Sequence, residues 1–519
     1  MNALRLLPAL LLALAACLAP AGAAEPGAND RLVMGQLSPC TTLDPARVVD
    51  ADSIQVVRAV FEGLVRLRDG GLDVEPCLAE SWEADPAALQ WTFTLRPDLR
   101  FHDGTPCNAE AVVFSFLRIM DPAHPHFAGP RGNLPMPLGN VSAVEALDQL
   151  RVRFTLKSPH AGFLQGLSLP QLSVVSPAAV AGSGNGFARR PVGAGPFAFG
   201  DWTADGTVTV RANPDYWGPK PRIKEVIFRP VVNDAQRFHE FASGALDVVA
   251  GVPPADVARM AHMSEARLHS LPGLAVSYLG MRLGRPPLDR PEVRRAVAHA
   301  INTEALVRLI YQGQADSARG ILPPGAPGFD PALRGHAYDP VLARRLLAGA
   351  GLAKGFSVTL LTMNAPRPYL PNPVRVAEAV KGNLEAVGIR TRIASQDFPS
   401  FLDGFNRDEY DMFLLGWVMD TPDPDDLLSS LAVGSSAAPG ISRGVWNSNR
   451  AMELLAQARQ ETDTDRRATL YSRFQELLRD EAPLVPLAHP RMNLAVRSRV
   501  QGLVLQPTGD VRFNEAWKK

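Results

Sequence analysis

The sequence predicts an α/β protein of more than one domain, and three observations carry that reading. At 519 residues the chain exceeds what one hydrophobic core ordinarily organises. Between residues 356 and 417, short β-branched and aromatic runs alternate with amphipathic stretches: strand at 356–362, helix at 374–387, strand at 390–394, helix at 398–407 and strand at 411–417. Such alternation is the order of an α/β lobe with a largely parallel sheet. Elsewhere the period changes, as in Trp91-Thr92-Phe93-Thr94-Leu95-Arg96, whose strict alternation marks a half-buried strand.

The first 23 residues read as an export signal. Arg5 supplies a basic end, Ala9 to Leu18 an apolar run, and Ala21-Gly22-Ala23 a small-x-small cleavage site. Pro8, Pro20 and Gly22 oppose a permanent membrane span, which needs about 20 apolar residues. Leu14-Ala15-Ala16-Cys17 also fits a lipobox, so a lipid-anchored form at Cys17 is the alternative to a soluble periplasmic one. Export would leave Cys40, Cys77 and Cys107 in an oxidising compartment, where an odd number allows at most one disulfide. A Cys40–Cys77 bridge and three separate thiols both remain open.

Beyond the signal, residues 31–37 form a first strand. Asn108 caps a helix with Glu110 in its first turn and Val113, Phe116, Leu117 and Met120 along one face. His124-Pro125-His126 lies in a Pro- and Gly-rich loop without a third ligand at metal spacing. Asp289-Arg290-Pro291-Glu292 reads as a capping box opening a helix with Val293, Val297, Ala300 and Ile301 inward. Asn302 caps the next helix, and Asp339-Pro340 starts one that stops at Gly351. Two late helices follow, the second with Leu470, Phe474, Leu477 and Leu478 on one face, and Leu484-Val485-Pro486-Leu487 opens a return strand.

Composition narrows the function. Lys plus Arg equals Asp plus Glu at 53 each, so no basic or acidic excess points to nucleic acid or to an anionic membrane. GxSxG, HExxH, CxxC and Walker patterns are missing, which argues against an enzyme, although a secreted hydrolase is retained as the more distant alternative. Val192-Gly193-Ala194-Gly195-Pro196-Phe197 lacks the phosphate-loop lysine and leads into an alternating strand, so it is not a nucleotide site.

Several runs together resemble the peptide/nickel family, family 5, of extracytoplasmic solute-binding proteins. They are Leu78-Ala79-Glu80-Ser81-Trp82-Glu83 with Phe101-His102-Asp103-Gly104-Thr105-Pro106, the turn 192–197, Asn213-Pro214-Asp215-Tyr216-Trp217-Gly218 and Ser243-Gly244-Ala245-Leu246-Asp247. The resemblance covers essentially the whole mature chain. It implies a large, type II periplasmic-binding-protein fold of two lobes: lobe I at 24–273 plus 483–519, with an extra subdomain at about 50–190, and lobe II at 274–482. The crossings near 276–281 and 484–493 would form a two-strand hinge. It implies further a monomeric receptor that passes its cargo to the permease of an ABC importer, whose ATPase subunits supply the energy, with no cofactor and no catalysis.

Two segments look like the source of the ligand groups. Pro366-Arg367-Pro368-Tyr369-Leu370-Pro371-Asn372 is similar to a segment of the family's dipeptide-binding branch in which the arginine holds the ligand carboxylate; a guanidinium fork suits that task. Gly416-Trp417-Val418-Met419-Asp420 resembles the segment whose aspartate pairs with the α-ammonium, with Trp417 as a flat wall. The resemblance thus implies a binding set of Arg367, Tyr369, Trp417 and Asp420, with the two charged heads on the order of 8–13 Å apart across a dipeptide. Asp423, Asp425 and Asp426 read as a turn and a helix cap in preference to a calcium cluster. The cysteine pair that often follows in such receptors is missing from 428–446, and haem, a nickel chelate or an oligosaccharide are the alternative cargoes.

Overall fold

The computed structural model describes residues 29–129, 137–407, 409–419, 421–432 and 446–519. The signal segment and Cys17 therefore lie outside the described residues. A mixed sheet of twelve strands runs through the molecule. Its order is Ile389–Gln396, Phe356–Met363, Met412–Val418, Ala275–Met281, Leu484–Arg497, Val248–Ala250, Arg31–Gln36, Glu225–Pro230, Val208–Ala212 and Phe197–Trp202. Ala266–Pro272 and Ala315–Ser317 also pair with Leu484–Arg497.

The strands of the alternating region form where their period predicts, and Phe356–Met363 pairs in parallel with both Ile389–Gln396 and Met412–Val418. The sheet is nevertheless less parallel than expected. Ala275–Met281 runs antiparallel to Met412–Val418 and to Leu484–Arg497. Ala275–Met281 carries the chain into this part of the molecule and Leu484–Arg497 carries it out, so neighbours with those two tasks must run in opposite directions.

Leu484–Arg497 is shared along its length. Its first residues pair with Ala275–Met281 and its last with Val248–Ala250 and Ala266–Pro272. The buried side chains divide accordingly. One core is built wholly from residues 274 to 488. A second draws on residues 32 to 248 and 494 to 516, a smaller one on 231 to 260 with Ala495, and another on 64 to 194. The core at 64–194 fills the space under a separate sheet, ordered Ala79–Ala84, Gln90–Leu95, Arg151–Leu156 and Val141–Ala146.

The most distinctive run of the sequence has a structural task. Asp103 Oδ1 accepts from the Thr105 amide at 3.0 Å, and Asp103 Oδ2 accepts from Ser176 Oγ at 2.6 Å. The His102 amide donates to the Gly193 carbonyl at 2.9 Å, its Nδ1 accepts from the Gly193 amide at 3.3 Å, and its Nε2 lies 3.0 Å from the Gly195 carbonyl. The ring is thus neutral with its proton on Nε2, and burial holds its pKa below the usual value. This run is the clamp that fastens the 192–196 turn at the start of strand Phe197–Trp202.

Local signals are mostly met, with three corrections. Asn108 caps Ala109–Met120, accepting from the Ala111 amide. Its buried face is Val112, Ser115, Phe116 and Ile119, rotated from the expected one. Two polar contacts set that rotation: Arg118 reaches Asp44 at 2.9 and 2.5 Å, and Ser115 Oγ accepts from the Val175 amide at 3.0 Å. Asp289 makes no capping box, because Arg290 occupies the cap position of Pro291–Ala300 without a side-chain bond. The Arg294 guanidinium instead takes the Leu288 and Asp289 carbonyls at 3.1 and 3.0 Å. On Thr464–Glu481 the buried face is Tyr471, Phe474, Gln475 and Leu478, because Gln475 hydrogen-bonds the loop at Leu322 and Gly328. The thiols of Cys40, Cys77 and Cys107 are all free and buried.

Candidate functional site

Arg367 and Tyr369 sit in the connection between strand Phe356–Met363 and helix Pro373–Glu385. Asn372 caps that helix and Pro373 opens it, which stops the loop abruptly. The loop closes on itself: the Arg367 amide donates to the Leu370 carbonyl at 3.0 Å, and the Leu370 amide returns to the Arg367 carbonyl at 2.9 Å. Two prolines flanking Arg367 and this reciprocal pair restrict the arginine's backbone before any ligand arrives.

The Arg367 guanidinium lies over the Phe398 ring, 3.6 Å from its centroid, and Arg367 makes no ion pair among the described residues. Its Nε is buried without a hydrogen-bond partner. Such a group is oriented by a ring face yet keeps its donors free. Phe398 was invisible to sequence reasoning, because it lies 31 positions away on the first turn of helix Phe398–Asn406 and no short spacing links the two.

Tyr369 is buried, and burial pushes its phenol up to about 12 against the opposing effect of Arg367. Its ring packs on Gly416 so closely that a Cβ there would lie 2.3 Å from Tyr369 Cδ2. That contact brings the Arg367–Tyr369 loop against the end of strand Met412–Val418, where Trp417 follows. Trp417 is half-buried, faces Val276 in the ladder, and its Nε1 lies 3.4 Å from Asp426 Oδ2. Asp420 lies outside the described residues.

The loop is also wired to the crossing strand. Ser277 Oγ and Tyr311 Oη are 3.0 Å apart, and Tyr311 Oη donates to the Tyr369 carbonyl at 3.2 Å. His489, on the partner strand Leu484–Arg497, sits 3.1 Å from the Ala275 carbonyl through Nδ1. Full burial lowers its pKa to about 4, so it is neutral at pH 7.

The acids after Asp420 do more than cap. Asp423 Oδ1 accepts from the Asp425 amide at 2.9 Å, at the start of helix Pro424–Ala432. Both side chains are also buried in ion pairs: Arg467 reaches Asp423 at 3.0 and 2.7 Å, and Arg459 Nε reaches Asp425 at 2.9 and 3.0 Å. Burial raises the Asp425 pKa, with Arg459 opposing. The arginines stand 34 and 44 positions away, which is why the sequence offered only the local turn. Among the described residues no group of three or more acids, histidines or cysteines is arranged to hold a metal. Nor is any described helix long and apolar enough to cross a membrane.

The fold is a twelve-stranded mixed sheet over four cores, with a loop arginine stacked on a ring at the candidate site. The model of the bacterial extracellular solute-binding proteins, family 5, matches residues 73–438. The chain belongs to this family. It is 31% identical over 480 residues to the dipeptide-binding protein of Escherichia coli K12, with 89% of each chain covered. It is equally 31% identical over 482 residues to heme-binding protein A of Haemophilus influenzae, covering 90% of this chain and 88% of that one. Among solved structures, the dipeptide-binding protein of Pseudoalteromonas sp. SM9913 in complex with Met-Leu aligns with a TM-score of 0.83 at 27% identity, covering 94% of this chain and all of that one.

Proposed function

We propose that this protein is the exported receptor of an ABC importer for short peptides, dipeptides foremost. It binds its cargo between two lobes, 24–273 with 483–519 and 274–482, joined by strands Ala275–Met281 and Leu484–Arg497. The subdomain of about 50–190 belongs to the first lobe. After loss of residues 1–23 it works in the periplasm, free or anchored at Cys17, and hands intact peptide to a permease driven by ATPase subunits. It transforms nothing.

One observation carries the reading furthest: Arg367 lies over Phe398 and makes no ion pair among the described residues. A buried-edge guanidinium with open donors is the chemistry that a free peptide carboxylate needs. In this reading Tyr369 and Trp417 wall the cargo and Asp420 takes the α-ammonium. The relatives named for dipeptides, and the Met-Leu complex, support the same cargo. Calorimetry with plain, N-acetylated and C-amidated dipeptides tests it. The plain form should bind and each blocked form should lose most of the affinity; equal binding of all three sinks the proposal.

The heme-binding relative favours haem as a second reading. A Soret band that persists when the protein is mixed with haemin and desalted would establish it in place of peptide.

A further inference from the structure

The two parts of the chain touch at a second place, away from the crossing strands. The segment His160-Ala161-Gly162 follows strand Arg151–Leu156 of the four-stranded sheet, and it meets the acid–arginine cluster described above. The Ala161 amide donates to the Arg459 carbonyl at 2.7 Å. A Cβ placed on Gly162 would fall 1.9 Å from Asp423 Oδ2 and 2.6 Å from Asp423 Cγ. His160 is only 6% exposed, and both of its ring nitrogens are buried without a hydrogen-bond partner.

Resting on the two-lobe reading above, we infer that 160–162 is a latch, a contact made only when the lobes close, whose fit sets the affinity for the cargo. Three features suit it to that task. The surface it meets is already neutralised, since Asp423 and Asp425 are each paired with an arginine, so covering it buries no lone charge. The contacts that Ala161 and Gly162 make come from a backbone amide and a glycine, which have no side-chain freedom to lose on closing. Gly162 has φ −84° and ψ 10°, a conformation open to alanine, so its lack of a side chain answers to Asp423 and not to its own backbone.

A ligand closes the lobes only as far as it binds the closed form better, so its apparent affinity scales with the ease of closure. A methyl group at Gly162 penalises the closed form alone. Gly162 is therefore a positioning residue, acting on the cargo through closure.

The test has two arms. In the ligand-independent arm, Gly162→Cys with Asp423→Cys is oxidised in the exported protein. One bond separates Cγ from Cβ, so the two Cβ atoms stand within about 4 Å, inside disulfide range. A disulfide between them is expected by mass spectrometry, with small-angle scattering fixed at the compact value; no disulfide overturns the latch. In the second arm, Gly162→Ala is compared with the unaltered protein by calorimetry with a dipeptide mixture and by thermal melting. Binding should weaken about ten-fold or more, at unchanged melting temperature of the ligand-free protein. Unchanged affinity overturns the proposal even if the disulfide forms. If the unaltered protein binds no dipeptide, the peptide reading fails; this arm is then run with haemin, and the first arm still decides the contact.

Discussion

Arg467 and Arg367 stand in the same part of the chain, and each has an aromatic ring beneath its guanidinium, yet they are held for opposite ends. Arg467 lies 5.3 Å from the centre of Tyr471 and grips the buried Asp423 with two bonds, itself mostly covered. Arg367 lies 3.6 Å from the centre of Phe398 and grips no carboxylate among the described residues. A closed pair has no capacity left for a ligand and spends its charge on holding helices Pro424–Ala432 and Thr464–Glu481 together. A stacked arginine with open donors gives the fold less, and in the function proposed above it keeps its charge for the cargo. Arg118, gripping Asp44 in the other part of the molecule, is of the first kind.

The contrast is sharpest in mutants. Arg467→Ala strands the buried Asp423 charge and should cost about 3–5 kcal/mol of stability by denaturant titration. A loss below about 1 kcal/mol would show that the pair is not structural. Arg367→Ala should reverse the pattern. Dipeptide affinity falls by about 2–5 kcal/mol, or roughly 30- to several-thousand-fold, while the ligand-free midpoint moves by less than about 0.5 kcal/mol. Equal destabilisation by the two substitutions would erase the distinction.

His489 offers a third case, a buried polar group that stays neutral instead of finding a counter-charge. Its pKa is about 4 when folded against 6.5 for the free side chain, so unfolding takes up a proton between these values. Stability should be constant above about pH 6.5 and fall as the pH drops towards 4. The histidine's share of that loss is about 3 kcal/mol at the acid end. His489→Gln should flatten that part of the profile; an unchanged slope would place the titration elsewhere. The smallest effect is expected at Phe398→Leu, which removes the ring under Arg367 and keeps the bulk. Calorimetry should show a loss of about 0.5–1 kcal/mol in dipeptide affinity, and a gain in affinity would mean that the ring competes with the cargo.

Legibility followed the range of each interaction. The strands and helices between Phe356 and Val418 lie within a residue or two of where period and caps put them, because both signals act over fewer than about five positions. The missed features all answer to distant partners. The helix Ala109–Met120 is rotated by Asp44 and Val175, and the strand Ala275–Met281 reversed by its place beside Leu484–Arg497. For the candidate site the sequence singled out Arg367, Tyr369, Trp417 and Asp420 one by one, but not the stacking of Arg367 on Phe398.

By itself the sequence determined the α/β class, the main caps and turns and the family, since these follow from side-chain period, backbone preference and motif spacing read along the chain. Tertiary structure alone decided which charges are closed and which stay open. Asp423 and Asp425 look like helix caps until Arg467 and Arg459 arrive from 44 and 34 residues away. Gly162 looks like any loop glycine until Asp423 is found where its side chain would be. Coulomb attraction and steric exclusion act through space over a few ångströms, and only folding brings those atoms within that reach.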